Sequence, residues 1–346
     1  MLARRSTLAL ANGSQLSLPL LVPSFSSKGF PTFKRETGKM KLVLSETTHA
    51  LEMLGPFLGV SMLISAYDIH HRMFHRPTSF FKGREVVFID SGGYELAADY
   101  DSTEPSQGPY RSRAFNETEY RAVLRRLPTA TPLIISNFDW GVRGRPIKEQ
   151  IRKALELFET NPGTVSNFLI KPTGKKRYLD IDDVRAHAKD YRSFGILGVT
   201  EKELGSDFLE RLTNLAQIRA ELDRQGITIP IHVWGGLDPI MTPLYFFAGA
   251  EIFDGVSWLR YAYHNGTAVY RDCYGLLSTG LETSLDHTRA HAMNNNLIVL
   301  RKITTALQRF VDSGARDFNV FEWHAETFKS AYAVMQSRIH ELKGGA

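Results

Sequence analysis

Cysteine is nearly absent: Cys273 is the only one in 346 residues. One thiol excludes an internal disulfide framework and any zinc site built from several cysteines, and it fits a reducing, cytoplasmic setting. No stretch approaches the roughly 20 consecutive apolar residues that a membrane span requires. Arg4 and Arg5 precede some apolar residues, but Asn12, Gly13, Ser14 and Gln15 interrupt that run, so a signal peptide is not expected. Internal repeats and low-complexity tracts are also lacking. Charge of neither sign dominates: 42 Lys and Arg stand against 37 Asp and Glu, a net of +5. That balance is compatible with a polyanionic partner without dictating one.

What is present is a globular composition, 43% hydrophobic and 23% charged, able to bury a large core. Strand-like apolar runs fall at residues 18–25, 60–66, 85–89, 133–138, 167–171, 194–199, 229–234 and 251–256. Helical patterns lie between them at 46–54, 116–127, 147–160, 181–191, 207–225 and 239–248, with Ser45 and Asn116 as expected N-caps. Eight such alternations predict an α/β fold, a (β/α)8 TIM barrel with additional C-terminal helices. Those helices are expected at 296–313 and 321–342. Residues 1–17 read as an N-terminal extension, and 18–346 as one barrel domain whose C-terminal helices begin near 288. Residues 99–113, rich in Asp, Ser, Pro and Gly, read as a long loop that carries function or covers a site.

Three apolar runs deliver a carboxylate at or just beyond their ends: Asp90, Asp139 and Asp254. A single strand-end aspartate is ordinarily a cap or a loop hydrogen bond. Three at the ends of barrel strands are expected to share one mouth. Two carboxylates working on one glycosidic carbon is a known chemistry, in which one attacks and the other handles protons. A third can accept from a ring N–H and an amino group together. Gly92 and Gly93 let backbone approach a flat ligand, and Tyr94 and Trp234 offer stacking faces. Lys171, Lys175, Lys176 and Arg177 form a basic loop at a strand end, placed to meet phosphate. His70, His71 and His75 read as loop or packing residues rather than metal ligands, since adjacent side chains diverge. His287 and His291 read as a solvated helix face, and Glu201 receives no role.

At these residues the chain resembles the tRNA-guanine transglycosylase superfamily. Asp90-Ser91-Gly92-Gly93-Tyr94 is similar to its substrate motif, and Ile252-Phe253-Asp254-Gly255-Val256 to its nucleophile strand. Phe138-Asp139 resembles the base-recognition acid, and Ile196-Leu197-Gly198-Val199 the strand whose glycine contacts the base. His232-Val233-Trp234-Gly235-Gly236 resembles the strand with the stacking residue, and Arg260 with His264-Asn265-Gly266 the basic segment beyond the nucleophile. The resemblance runs in order from about residue 20 to 307.

It implies exchange of guanine in nucleic acid without a cofactor. Asp254 would attack C1′, Asp90 would manage protons and Asp139 would bind the base edge of a nucleotide turned out of its stack. Ser91, Gly92, Gly93, Tyr94, Gly198 and Trp234 would complete the base site. Lys171, Lys175, Lys176, Arg177 and Arg260 would bind the nucleic acid.

The chain departs from the tRNA enzymes in their C-terminal zinc site of three cysteines and a histidine. Cys273 stands alone, and Asn294-Asn295-Asn296 occupies the histidine's place, so no metal is expected. The insertions at 99–113 and 171–178 depart as well. The better resemblance is to the divergent branch that inserts 7-deazaguanine bases into DNA. DNA is therefore expected ahead of tRNA, with a 7-deazaguanine of the 7-cyano type as incoming base and helper proteins of a DNA-modification system as possible partners. The tRNA enzyme, a silent partner subunit of one, and a barrel glycosidase acting on free sugars are the other readings.

Overall fold

The computed structural model describes residues 2–37, 40–97 and 111–344. Eight parallel strands close into a barrel: β1 Leu20–Phe25, β2 Ser61–Ser65, β3 Val86–Asp90, β4 Leu133–Ser136, β5 Thr164–Leu169, β6 Ile196–Thr200, β7 Ile231–Trp234 and β8 Ile252–Gly255. Each expected strand is present, and the barrel closes where β8 pairs with β1, Asp254 opposite Val22. Helices cover the outside, so these strands are buried on both faces, which is why they read as continuous apolar runs. Side-chain alternation divides them. Val22, Leu63, Phe88, Ile134 and Ile252 fill the interior, while Leu21, Met62, Val87, Ile135 and Phe253 join the outer core.

Boundaries shift where turn chemistry decides. β5 starts earlier than its apolar residues suggest, because Thr164 already donates to the Asn161 carbonyl across the Asn161-Pro162-Gly163 turn. It also stops short of Lys171, which leaves that residue in the mouth. Asn116 caps its helix as expected, in a reciprocal capping box with Glu119. Ser45 instead ends a strand, since the basic stretch after Lys28 folds into an antiparallel pair, Thr32–Thr37 with Met40–Ser45. The expected loop at 99–113 lies, through residue 110, outside the described residues.

The N-terminal segment is also a hairpin, Ser6–Ala9 against Gln15–Leu18. Its Leu8, Leu10, Leu16 and Leu18 join the interior cluster and plug the end of the barrel where the strands begin. The site residues lie at the opposite end, where the strands finish. At the C-terminus, a helix over Leu285–Asp312, capped by Ser284, starts close to the expected 288 and well before the 296 at which its helical pattern was read. A second runs over Ala325–Gly344. Phe247 of the Met241–Phe247 helix meets Phe310, Phe318, Phe321 and Phe328, so an aromatic cluster fastens these helices to the barrel. Among the described residues no helix is long and apolar enough to cross a membrane.

Candidate active site

β8 carries Asp254 into the mouth, and its carboxylate is held from three directions. Oδ2 accepts from the Ser24 hydroxyl at 2.8 Å, while Oδ1 accepts from His232 Nε2 at 3.1 Å and from the Gly235 N–H at 3.2 Å. Behind it, His232 Nδ1 faces the Asn167 amide nitrogen at 2.8 Å. Ser24, His232 and Asn167 lie within β1, β7 and β5, and all are buried. None was expected in the site. For Ser24 and His232 the signal is a polar residue in an otherwise apolar barrel strand, which needs a partner inside; Asn167 shares its strand with Thr164 and Ser166 and does not stand out in this way.

Asp90 ends β3. The chain then turns sharply through Gly92, whose φ of 96° favours glycine, and Gly92 N–H donates to Asp90 Oδ2 at 3.1 Å. At Gly93 a Cβ would lie 2.4 Å from Asp139 Oδ2, so only glycine lets the two segments meet. Burial pushes the Asp90 carboxyl well above the usual carboxylate range, and repulsion from Asp139, Glu95 and Asp254 adds to it. That Asp90 feels both Asp139 and Asp254 places the three acids around one mouth.

Asp68 and Glu95 lie behind Asp90, fully buried and likewise raised, in each case first by burial. Ser27 donates to Asp68 and Ser26 to Glu95, with Ser65 also close to the Glu95 carboxyl. For a carboxyl raised in the folded state, the native chain binds more protons than the unfolded one once pH exceeds the ordinary value of about 4. This stability is complete below that value and is lost as pH rises through the folded value. Glu95→Gln is therefore expected to raise the melting temperature by a few degrees at pH 8 and by progressively less towards pH 4. Thermal melts across that range check it; an equal shift at all pH values would refute it.

Asp139 opens a short turn, Asp139–Gly141, just past β4. Asn137 makes that exit possible: its amide replaces strand pairing, accepting from Leu169 N–H at 2.6 Å and donating to Leu169 O at 3.1 Å. Ser91 donates to Asp139 Oδ1, and Lys171 Nζ lies 3.2 Å from Oδ2. Lys171 was expected on the basic loop against phosphate, and the structure corrects this. Its Nζ is buried, donating to Glu203 and Thr200 at 3.0 Å each as well as to Asp139. Gln150 grips its backbone N–H and carbonyl, turning the side chain inwards. Burial pulls the Lys171 ammonium down, but Glu203 and Asp139 outweigh burial and hold it above its ordinary value. Arg143 supplies Glu203 with a second cation at 2.9 Å.

The remaining expected residues spread around this centre. Gly198 on β6 leaves room for Trp234, whose Nε1 would lie 2.6 Å from a Cβ there. Trp234 is buried and its ring stacks on His232, centroids 4.3 Å apart. Tyr94 is partly exposed at the rim, with Lys28 Nζ over its ring at 4.4 Å and Arg260 donating to its hydroxyl at 2.8 Å. Lys175, Lys176 and Arg177 are exposed away from the buried acids, Lys176 paired with Asp180 at 2.6 Å. His70 and His71 do not diverge as expected: their rings meet edge to face, centroids 4.7 Å apart, and both pack on Phe115. His70 also approaches Glu119, His71 packs on Tyr67, and His75 lies apart, approaching Glu52. His291, read as solvated, bonds the Tyr274 hydroxyl.

The residues near Cys273 do not fit a zinc site. A lone exposed thiol would need three partners, and the asparagines at the histidine's place are otherwise engaged. Asn295 donates to Tyr263 O, while Asn296 donates to Trp258 O and Tyr261 O and accepts from Tyr263 N–H. These amides clasp the segment that follows β8 to the Leu285–Asp312 helix.

Fold and site thus define a TIM-barrel protein with a buried carboxylate cluster where the strands end. No protein-family model matches the chain. Among curated proteins it is similar to the tRNA-guanine(15) transglycosylase of Aeropyrum pernix, 28% identical over 189 residues, or 51% of this chain. The matched part is 33% of that enzyme, so the chain spans about a third of the relative's length.

Proposed function

We propose that this protein is a guanine transglycosylase that exchanges guanine in DNA for a 7-deazaguanine base through a covalent intermediate on Asp254. The observation that carries it is the pairing of two buried carboxylates in one mouth. Asp254 is oriented by three donors, whereas Asp90 receives one and is pushed towards its protonated form. Environments that separate two carboxyls in this way assign nucleophile and proton carrier.

In the first step an Asp254 oxygen forms a bond to C1′, the bond from C1′ to guanine breaks with its electron pair on the base, and Asp90 gives that base a proton. In the second step the incoming base gives its N–H proton to Asp90 and bonds to C1′. The electron pair of the ester bond returns to Asp254. Two displacements give net retention. Asp139, Gly198 and Tyr94 line the base position in this reading, with Trp234 beneath. Lys175, Lys176, Arg177 and Arg260 meet the backbone, and Lys171 holds Asp139.

DNA is favoured because the tRNA enzymes' cysteine-rich zinc site has no counterpart in these residues. The second reading, exchange in tRNA, draws support from the tRNA enzyme to which the chain is similar. In either case the site is retained, which speaks against a silent subunit. Labelled guanine is expected to enter DNA and not tRNA when each is offered separately, with binding that weakens steeply as salt rises. Digestion and mass spectrometry of both nucleic acids read the outcome, helper proteins being supplied by the cells that express the protein. Label only in tRNA would move the substrate to tRNA, and label in neither would overturn the proposal.

A further inference from the structure

Behind the nucleophile lies a polar chain that takes no direct part in the two displacement steps. Asn167 and His232 are both fully buried, His232 between Ile231 and Val233 and Asn167 between Ser166 and Phe168. The Asn167 amide nitrogen can only donate, so His232 Nδ1 accepts from it, and Nε2 carries the ring hydrogen that is given to Asp254 Oδ1. The ring is fixed by stacking on Trp234 and by an edge contact with Phe88 at 5.6 Å. This is the arrangement in which an outer partner sets the tautomer of an imidazole and thereby the bond it offers inwards.

The two oxygens of Asp254 are not equivalent. Oδ1 already accepts two bonds, from His232 and Gly235, whereas Oδ2 accepts one, from Ser24. A carboxylate oxygen has two lone pairs in its plane, so Oδ2 is the oxygen with one to spare. We infer that Oδ2 is the attacking atom and that His232 is a positioning residue whose Nε2–H stabilises Asp254 as the leaving group of the second step. This inference rests on the transglycosylase reading and deepens it.

The physical reason is where charge sits. When Oδ2 bonds to C1′, the carboxylate loses its negative charge and Oδ1 becomes an ester carbonyl, a weaker acceptor. When the incoming base takes C1′, the electron pair of the C1′–Oδ2 bond returns to the carboxylate and the bonds to Oδ1 strengthen. Donors on Oδ1 therefore favour breakdown of the intermediate over its formation.

The test measures the two steps separately in the full chain, with formation followed by a denaturation-stable protein–DNA band and breakdown by its decay on adding guanine. His232→Phe keeps a flat ring between Trp234 and Phe88 but has no donor. It is expected to slow breakdown roughly 10- to 100-fold, the worth of a hydrogen bond to a charged group. Formation should change only a few-fold, so the intermediate accumulates. His232→Gln, whose amide restores a donor, is expected to recover most of the breakdown rate. Asn167→Leu, which does not touch Asp254, should shift the partition in the same direction by less. Equal slowing of both steps in His232→Phe, or no recovery in His232→Gln, would overturn the inference. Absence of the band in the unaltered protein would instead overturn the transglycosylase reading, and the inference falls with it.

Discussion

Asp254→Asn is expected to give a folded protein that still binds nucleic acid but forms no covalent intermediate. An asparagine can keep its carbonyl towards His232 and Gly235 and turn its amide towards Ser24, whose oxygen then accepts. The shape and most of the bonding survive. The anionic oxygen does not, and a neutral amide is no nucleophile towards C1′. Exchange should fall by roughly 10⁴-fold or more, as when other enzymes lose a nucleophile. The measurement is a denaturing gel after incubation with nucleic acid and without an incoming base: the unaltered protein gives a shifted band and Asp254→Asn gives none. Asp90→Asn should still give the band, but form it and turn it over about 10²–10⁴-fold more slowly, the usual contribution of a positioned proton carrier. A persistent band in Asp254→Asn would pass the nucleophile's role to Asp90.

The barrel was legible because parallel strands covered on both faces must be apolar throughout, and each run ends where its chemistry begins. The three aspartates stood out for the same reason, as charges at the edge of apolar runs. What surrounds them was not legible. Of the leucines that plug the barrel floor, Leu8, Leu16 and Leu18 sit in strands of four residues each, too short to establish a period, and Leu10 lies in the turn between them. Lys171 belongs to a basic run, and a run of charge looks the same whether each member is solvated or one is drawn inwards. Gln150, on a helix 21 residues earlier, fixes its backbone, and Glu203, Thr200 and Asp139 hold its ammonium inside. His232 lies in a stretch whose likeness drew attention to Trp234, and its use depends on Asn167 two strands away. Side-chain pairing across a closed sheet leaves no local pattern, so these contacts emerge only once the register is known.

Asp139→Ala separates recognition from architecture. Ser91 and Lys171 each occupy one acceptor position on the Asp139 carboxylate, one per oxygen. A carboxylate has about four such positions, so one on each oxygen is left for a base edge that offers a ring N–H and an amino group. A site built to accept from these groups leaves them unpaired when the acceptor is lost, a penalty of roughly 10⁴-fold in comparable pockets. Exchange in Asp139→Ala is expected to fall by about that factor. The fold should hold, because Lys171 keeps Glu203 and Thr200 as partners at 3.0 Å. Lys171→Met makes the opposite cut. It leaves Asp139 and Glu203 buried without the cation between them, and breaking a buried pair from one side costs about 3–5 kcal/mol. That variant should melt at a markedly lower temperature, whereas Asp139→Ala should melt near the unaltered protein. Exchange assays and thermal melts on the two variants together decide the matter: near-normal exchange in Asp139→Ala would make the carboxylate a structural partner of Lys171 and leave base recognition to other groups in the mouth.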